Sequence, residues 1–403
     1  MECDLLIIGG GAAGLAAACA LSSWKGHIII AERQNRVGKK LLATGNGRCN
    51  LSNTDMSPAF YHNSEAFVQT LYSEISPQTV MDYWSSLGLL TLCESGRIYP
   101  RTFSSSSVLD TLRQSLGANT ELFTDTFIEK ITPTEYGYDA YFSQGVIRTR
   151  YCILAVGTNA GLSHISSTLS LIDTLSIPTL PLQPALVPLT GSNPFLKSLK
   201  GLRVRAKVSL LYNDCLIREN YGEMLFTDYG LSGVCIMELA QDVRLRMAEH
   251  KSLTLSINFL PEIDSAFPWL QARLASFSTL SLSKMMTGIL PRLLAQAVIK
   301  SVSLSPDQQC GSLSSKECAL LLQALTAFKI PITGTLGAER AQVMSGGISL
   351  ESVSPTTMEI NNYPGLFAIG EILDCIGPCG GYNLHFAVAS ALCAAQAIQK
   401  GKK

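Results

Sequence analysis

The sequence predicts an α/β protein: a β-α-β unit at the start, a β-rich middle and a helix-rich segment set within that middle. Three observations carry this reading. An apolar stretch, Cys3-Asp4-Leu5-Leu6-Ile7-Ile8, runs straight into Gly9-Gly10-Gly11-Ala12-Ala13-Gly14 and a small-residue helix. A second apolar stretch, His27-Ile28-Ile29-Ile30-Ala31, ends in an acid, Glu32. Much later, Gly365-Leu366-Phe367-Ala368-Ile369-Gly370-Glu371 reads as one more short strand of the same kind.

The opening unit has the parts that a dinucleotide needs. Gly9 permits a tight turn, and Gly11 lets the backbone approach a pyrophosphate. Gly14 and Ala18 let helix and strand pack closely. The helix start, from Ala12 and Ala13 onward, offers unpaired N–H groups and the positive end of its dipole. Glu32 stands eighteen residues after Gly14, where a carboxylate can bond ribose hydroxyls, with Arg33 beside it. G-x-G-x-x-G alone is a weak signal; with its strand, helix, second strand and acid it is specific. A secretory signal is the competing reading, and it fails. No Lys or Arg precedes the apolar run, and three glycines interrupt it.

Composition narrows the class. Of 403 residues 47% are hydrophobic and 15% charged, which suits a sizeable core, yet no uninterrupted apolar run reaches the ~18 residues needed to span a bilayer. Lys plus Arg equals Asp plus Glu at 31 each, so no nucleic-acid partner is expected. The 12 cysteines include no C-x-x-C pair, and with no export signal they are expected reduced and mostly buried in a cytoplasmic protein. His62, His164 and His250 lack metal-ligand spacing, so no metal site is expected.

Along the chain, residues 67–74 and 79–87 read as helices and 120–132 as extended. Phe127 and Ile128 in that stretch are candidate cofactor contacts, as are Ala155, Val156 and Gly157 at the end of the apolar strand Tyr151 to Val156. The prolines at 178, 181, 184 and 188 mark a boundary. Beyond it, 205–210 and 252–257 alternate as half-buried antiparallel strands. Residues 265–328 turn helical, with Ser314-x-x-Glu317 as a capping box.

The C-terminal segment decides which dinucleotide. Gly370-Glu371 ends a strand with an acid that can bond a ribityl hydroxyl. Gly380-Gly381-Tyr382-Asn383-Leu384 then opens an alanine-rich helix, able to aim N–H groups at the pyrimidine edge of a flavin and stabilise the charge of its reduced form. A nicotinamide needs neither, so FAD is favoured over NAD. An ordinary buried strand and an ordinary loop are the plain alternatives.

Four blocks resemble a bacterial flavoprotein family called the aminoacetone-oxidase or bile-acid Δ4,6-reductase-like family. Gly38-Lys39-Lys40-Leu41-Leu42-Ala43-Thr44-Gly45-Asn46-Gly47-Arg48-Cys49-Asn50-Leu51-Ser52-Asn53 is similar to its "GRKLLxTGxGRCNxTN". Gly96 to Pro100 resembles "GRxFP", residues 225–233 resemble "LFTHxGLSGP", and residues 370–384 resemble "GExLDxxGxxGGYNLQ". The resemblance covers essentially the whole chain. It implies a Rossmann-like, glutathione-reductase-like FAD-binding domain (1–185 and 346–403), an inserted β-barrel-like domain (186–262 and 329–345) and a small helical domain (263–328). Asp228, Val234, Pro378-Cys379 and His385 depart from the pattern, which has Gln at the last position.

The resemblance implies that Thr44, Gly45, Asn46, Gly47, Arg48, Cys49 and Asn50 contact FAD, with Arg48 at the phosphates; loop hydrogen bonds and a surface Arg are the plain alternative. Lys40 either neutralises pyrophosphate charge or is solvated. Cys49 is expected to be an inert thiol. His385 is the candidate catalytic acid near neutral pH, against a capping or packing role. Tyr382 either covers the flavin or packs under the helix. Arg97, Tyr99 and Arg101 either face a substrate or end a hairpin. No second G-x-G-x-x-G exists, so NAD(P)H would dock transiently as electron donor. The expected activity is NAD(P)H-driven reduction of an activated C=C in a steroid or bile-acid-like enone, an apolar small molecule. Oxidation of a small amine such as aminoacetone is the alternative, and a flavin-bearing redox sensor or scaffold the alternative of another class.

Overall fold

The computed structural model describes residues 1–61, 63–161, 170–247 and 252–401; His62, His164 and His250 lie outside them. The chain forms two compact units, Met1–Gln183 with Gln342–Lys403, and Pro184–Ala341.

The first unit is built on a seven-stranded sheet. Glu2–Ile8 lies between Ile28–Ala31 and Gly145–Leu154, parallel to both. Thr120–Phe123 extends the sheet in parallel beyond Ile28–Ala31. On the other side Leu366–Ala368 pairs in parallel with the end of Gly145–Leu154, and Gly137–Phe142 and Ile128–Thr134 continue antiparallel from its start. Leu5 to Ile8 and Ile28 to Ala31 are buried throughout, because a parallel strand is covered on both faces and so tolerates an unbroken apolar run. The expected extended stretch 120–132 is two strands in different parts of the sheet, broken near Asp125, whose φ is +51°.

Ala12–Ala20 and Tyr382–Lys400 pack on each other. Both are rich in buried alanine, and small side chains let helix axes approach. Helices Glu65–Glu74 and Pro77–Ser86 match the two expected ones within two residues. The prolines at 181 and 184 fall in Thr179–Ala185, which pairs only with Val343–Ile348 in a two-stranded sheet where a missing N–H is tolerated.

In the second unit six strands close an antiparallel barrel: Leu189–Gly191, Gly230–Ser232, Cys215–Phe226, Arg203–Tyr212, Leu253–Asn258 and Phe328–Thr335. Alternate residues of Leu253–Asn258 are buried, as period two requires. Four helices lie in sequence between the last two strands, including Ser315–Thr326. That helix carries the expected capping box, Ser314 to Glu317 in both directions.

Candidate functional site

Three parallel strands finish level. Ile8 and Ala368 both register with Leu154, so the turns that follow them, at Gly9, Ala155 and Gly370, meet at one edge of the sheet. Ligands of parallel α/β sheets bind outside this carboxyl edge. Packing here is tight enough to require glycine. A Cβ on Gly9, whose φ is +111°, would sit 2.4 Å from the Ala155 carbonyl oxygen, and one on Gly14 would sit 2.0 Å from the Gly9 oxygen. A Cβ on Gly370 would meet the Ala13 Cβ at 2.9 Å. Gly11 differs, because a Cβ there would meet nothing within 4 Å. The first three glycines close the protein on itself, and the fourth leaves room in front of the helix start.

Glu32 is 9% exposed and held from two sides. Gly10 N–H donates to its Oε2 and Gln34 N–H to its Oε1, both at 2.8 Å. It lines a cavity together with Gly9, Arg33, Phe127, Ile128 and Val156. Burial lowers the Arg33 pKa, opposed by the charge of Glu32. Thr126, Ser170 and Leu171 also line this cavity and were not expected. Thr126 follows Thr120–Phe123 and reaches the site because its N–H bonds the Glu32 carbonyl, a pairing that no local motif announces.

Lys40, 33% exposed, has partners within the protein. Its ammonium pairs with Glu371 Oε2 and lies 3.4 Å from the carbonyl and hydroxyl oxygens of Thr158. Thr158 in turn donates to Glu371 Oε1 at 2.7 Å. A cation, an acid and a hydroxyl from three distant segments thus form one network beside Gly157, whose missing Cβ would lie 4.0 Å from Glu371 Oε2. Thr158 is the member that sequence reading passed over.

The loop after Lys40 is wound left-handed. Gly45, Asn46, Gly47 and Cys49 have φ of 55°, 54°, 85° and 57°. Thr44 ties its start with a hydroxyl bond to the Leu41 carbonyl. Non-glycine residues hold such angles only under constraint from their surroundings. Asn50 Oδ1 is buried with no partner. Cys49 is fully buried and its thiol is pushed up to about 11 by desolvation, so it stays protonated and inert. Arg48, expected at the phosphates, has partners within the protein. Its guanidinium pairs with Glu94 at 2.5 Å and lies over the rings of Tyr99 and Phe103, 4.6 and 4.4 Å from their centroids. Arg97 and Tyr99 belong to a hairpin of Thr91–Glu94 and Arg97–Pro100, and Arg101 follows it.

His385 and Tyr382, the candidate catalytic residues, are both packed away from solvent. His385 is fully buried in the first turn of the last helix. Its Nδ1 bonds Ser52 Oγ at 2.8 Å and its ring stands edge-on to Tyr72 at 5.7 Å. Desolvation lowers its pKa to about 3, which keeps the imidazole neutral near pH 7. Tyr382 packs against Phe60 and Tyr61, and its carbonyl accepts the Tyr61 hydroxyl. Asn383 is spent on its own loop: Oδ1 accepts the Gly377 N–H and Nδ2 donates to the Gly377 carbonyl, both at 2.9 Å. Leu384 is partly buried against the core. Gly381, at φ +100°, is where a Cβ would strike Ser52. Asp228 lies in the other unit, on the surface, paired with Lys200.

Among the described residues no group of His, Cys, Asp and Glu is placed to hold a metal, and no helix is long and apolar enough to cross a membrane.

The profile of one family, described as the HI0933-like protein Rossmann domain, matches residues 3–397. The chain is 32% identical over 404 residues to a 3-dehydro-bile acid delta(4,6)-reductase of Clostridium scindens, covering 97% of this chain and 98% of that one. It is 25% identical over 406 residues to a ribosomal RNA dihydrouridine synthase of Escherichia coli, covering 99% and 98%. Among solved structures, a 3-ketosteroid delta1-dehydrogenase from Sterolibacterium denitrificans aligns over 100% of both chains with a TM-score of 0.56 at 11% identity, a likeness of fold.

Proposed function

Since the chain belongs to the HI0933-like Rossmann family and is an FAD-dependent oxidoreductase, we propose that it uses NAD(P)H to reduce an activated C=C of a ketone, with a steroid or bile-acid-like enone as its substrate class. The observation that carries this reading is the 32% identity held over 97% of the chain with a bile-acid Δ(4,6)-reductase. A C=C conjugated to a carbonyl accepts hydride at its far carbon, because the carbonyl takes up the negative charge. The second relative's name points to the same chemistry, since dihydrouridine is uridine with its carbonyl-conjugated C=C reduced.

The residues present fit FAD. Open space at Gly11, a cavity bordered by Glu32 and an unpartnered buried oxygen on Asn50 are features a bound dinucleotide would fill. Bound FAD supplies two-electron chemistry, accepting hydride from a nicotinamide and passing it to carbon. Each Glu32 oxygen already accepts one backbone N–H, which orients the carboxylate and leaves lone pairs for ribose hydroxyls. The first N–H groups of Ala12–Ala20, which no carbonyl of the helix can accept, would face the pyrophosphate. Lys40 balances the Glu371 carboxylate, which would otherwise repel a phosphate. The opening turn of the last helix would present its own N–H groups to the flavin ring.

Purification and anaerobic reduction test this reading. The expected result is a yellow protein whose flavin is bleached by NADH or NADPH and reoxidised fast by 3-keto-Δ4 or Δ4,6 steroids and slowly by oxygen. Bleaching by a small amine would support the oxidase alternative instead. Reoxidation by a ribosomal RNA fragment, a substrate named by one relative, would replace the steroid class and the charge-based exclusion of nucleic acid together. A flavin that neither nucleotide reduces would overturn the proposal.

A further inference from the structure

We propose that His385 is a positioning residue which, through Ser52, holds the opening turn of the last helix in register with the 44–50 loop; this rests on the reading of both segments as parts of the FAD site. The two segments come from opposite halves of the sequence. The joint between them is Ser52–Asn53, a two-residue strand that follows the loop directly and is anchored on its other side to Ile98 and Arg97.

Three contacts cross the joint. Ser52 Oγ and His385 Nδ1 are 2.8 Å apart. Asn53 Nδ2 donates to the Gly380 carbonyl at 3.0 Å. The third is the close approach of backbones at Gly381, where a Cβ would lie 2.4 Å from the Ser52 oxygen. Such an approach leaves no slack, so the direction of the helix start follows the position of Ser52.

His385 is an expensive residue to put there. It is fully buried and its Nε2 has no hydrogen-bond partner. An apolar side chain would fill the space without stranding a polar atom. What an apolar side chain lacks is the bond to Ser52. The imidazole also cannot swing away to other partners, because Tyr72 stands edge-on to it and is itself bonded to Tyr61, 2.8 Å between hydroxyls. The ring has one anchoring bond, and that bond leads to the strand behind the loop.

Apoprotein titrated with FAD tests the idea in the wild type, Ser52→Ala, His385→Leu, the double variant and His385→Gln. The single variants are expected to weaken FAD binding about tenfold each, the scale of one lost hydrogen bond. The double variant is expected to be no weaker than either single, and His385→Gln, which keeps a hydrogen-bonding side chain, is expected to bind near the wild-type level. Losses that multiply in the double variant, or affinities that do not change, overturn the proposal. If His385→Leu fails to fold, Ser52→Ala with and without His385→Gln reads the same coupling. If the wild type binds no FAD, the cofactor reading has failed, and amide hydrogen exchange then decides the positioning role. Ser52→Ala should speed exchange in residues 44–50 and 381–386 together; unchanged exchange there overturns it.

Discussion

Two glycine turns open two buried helices in the first unit, and their glycines answer opposite needs. At the start of Ala12–Ala20, the missing side chain of Gly11 faces open space. At the start of Tyr382–Lys400, the missing side chain of Gly381 faces the Ser52 backbone. One glycine keeps a place free for something else; the other lets the protein touch itself. A glycine motif read from sequence does not distinguish the two, and the assignment of catalysis to the second turn shows the consequence. Residues expected to meet a substrate there are the ones the fold packs away.

The strongest way to break this comparison is to add side chains. Gly11→Val should leave the melting temperature within a few degrees of that of the wild-type apoprotein and abolish flavin retention, read by absorbance of the purified protein. Gly381→Val combines a 2.4 Å clash with a φ of +100°, and should cost more than about 4 kcal/mol and lose the fold. A folded, colourless Gly381→Val protein, or an unfolded Gly11→Val protein, would reverse the roles of the two turns.

Acid sharpens it next. His385 has a folded pKa of about 3 against an ordinary value of 6.5. Below pH 6.5 the unfolded chain takes up a proton that the folded chain refuses, so stability is full above 6.5 and falls as pH drops toward 3. The loss is on the order of 5 kcal/mol. Denaturant melts at neutral pH and at pH 4 to 5 should show a steeper acid loss in wild type than in His385→Gln. Equal slopes would mean that the second turn is wetter than its burial indicates. The smallest effect is at Asn383, whose two bonds to Gly377 close the turn. Asn383→Ala should cost about 1–2 kcal/mol by thermal melting.

What was legible in the sequence follows from how local each signal is. Gly9, Gly11, Gly14 and Glu32 lie within one β-α-β unit, and their spacing alone puts them at one sheet edge. The capping box at Ser314 and Glu317 is equally local and appears as expected. Helix Ser105–Gln114 was missed because its three opening serines compete with helix formation, while Val108, Leu109 and Leu112 bury one face. Strand Cys215–Phe226 was missed because its exposed, charged residues blur the alternation. In the site, the partner of Lys40 lies 331 residues away and that of His385 lies 333 away. No pattern in the neighbourhood of either residue names such a partner. Arg48 shows the same limit: its motif is distinctive, but Glu94, Tyr99 and Phe103 decide where it points.

The level finish of Glu2–Ile8, Gly145–Leu154 and Leu366–Ala368 also sets a timetable for biosynthesis. The strand Leu366–Ala368 and the helix Tyr382–Lys400 that complete the surroundings of the glycine loop are made long after it. At roughly 5–20 residues per second that interval is on the order of half a minute. Until Leu366–Ala368 is made, Cys152 to Leu154 lack the strand partner it supplies. On the FAD reading, a chain cut short before Leu366 should keep its early strands and lose flavin retention, read by absorbance of the purified protein.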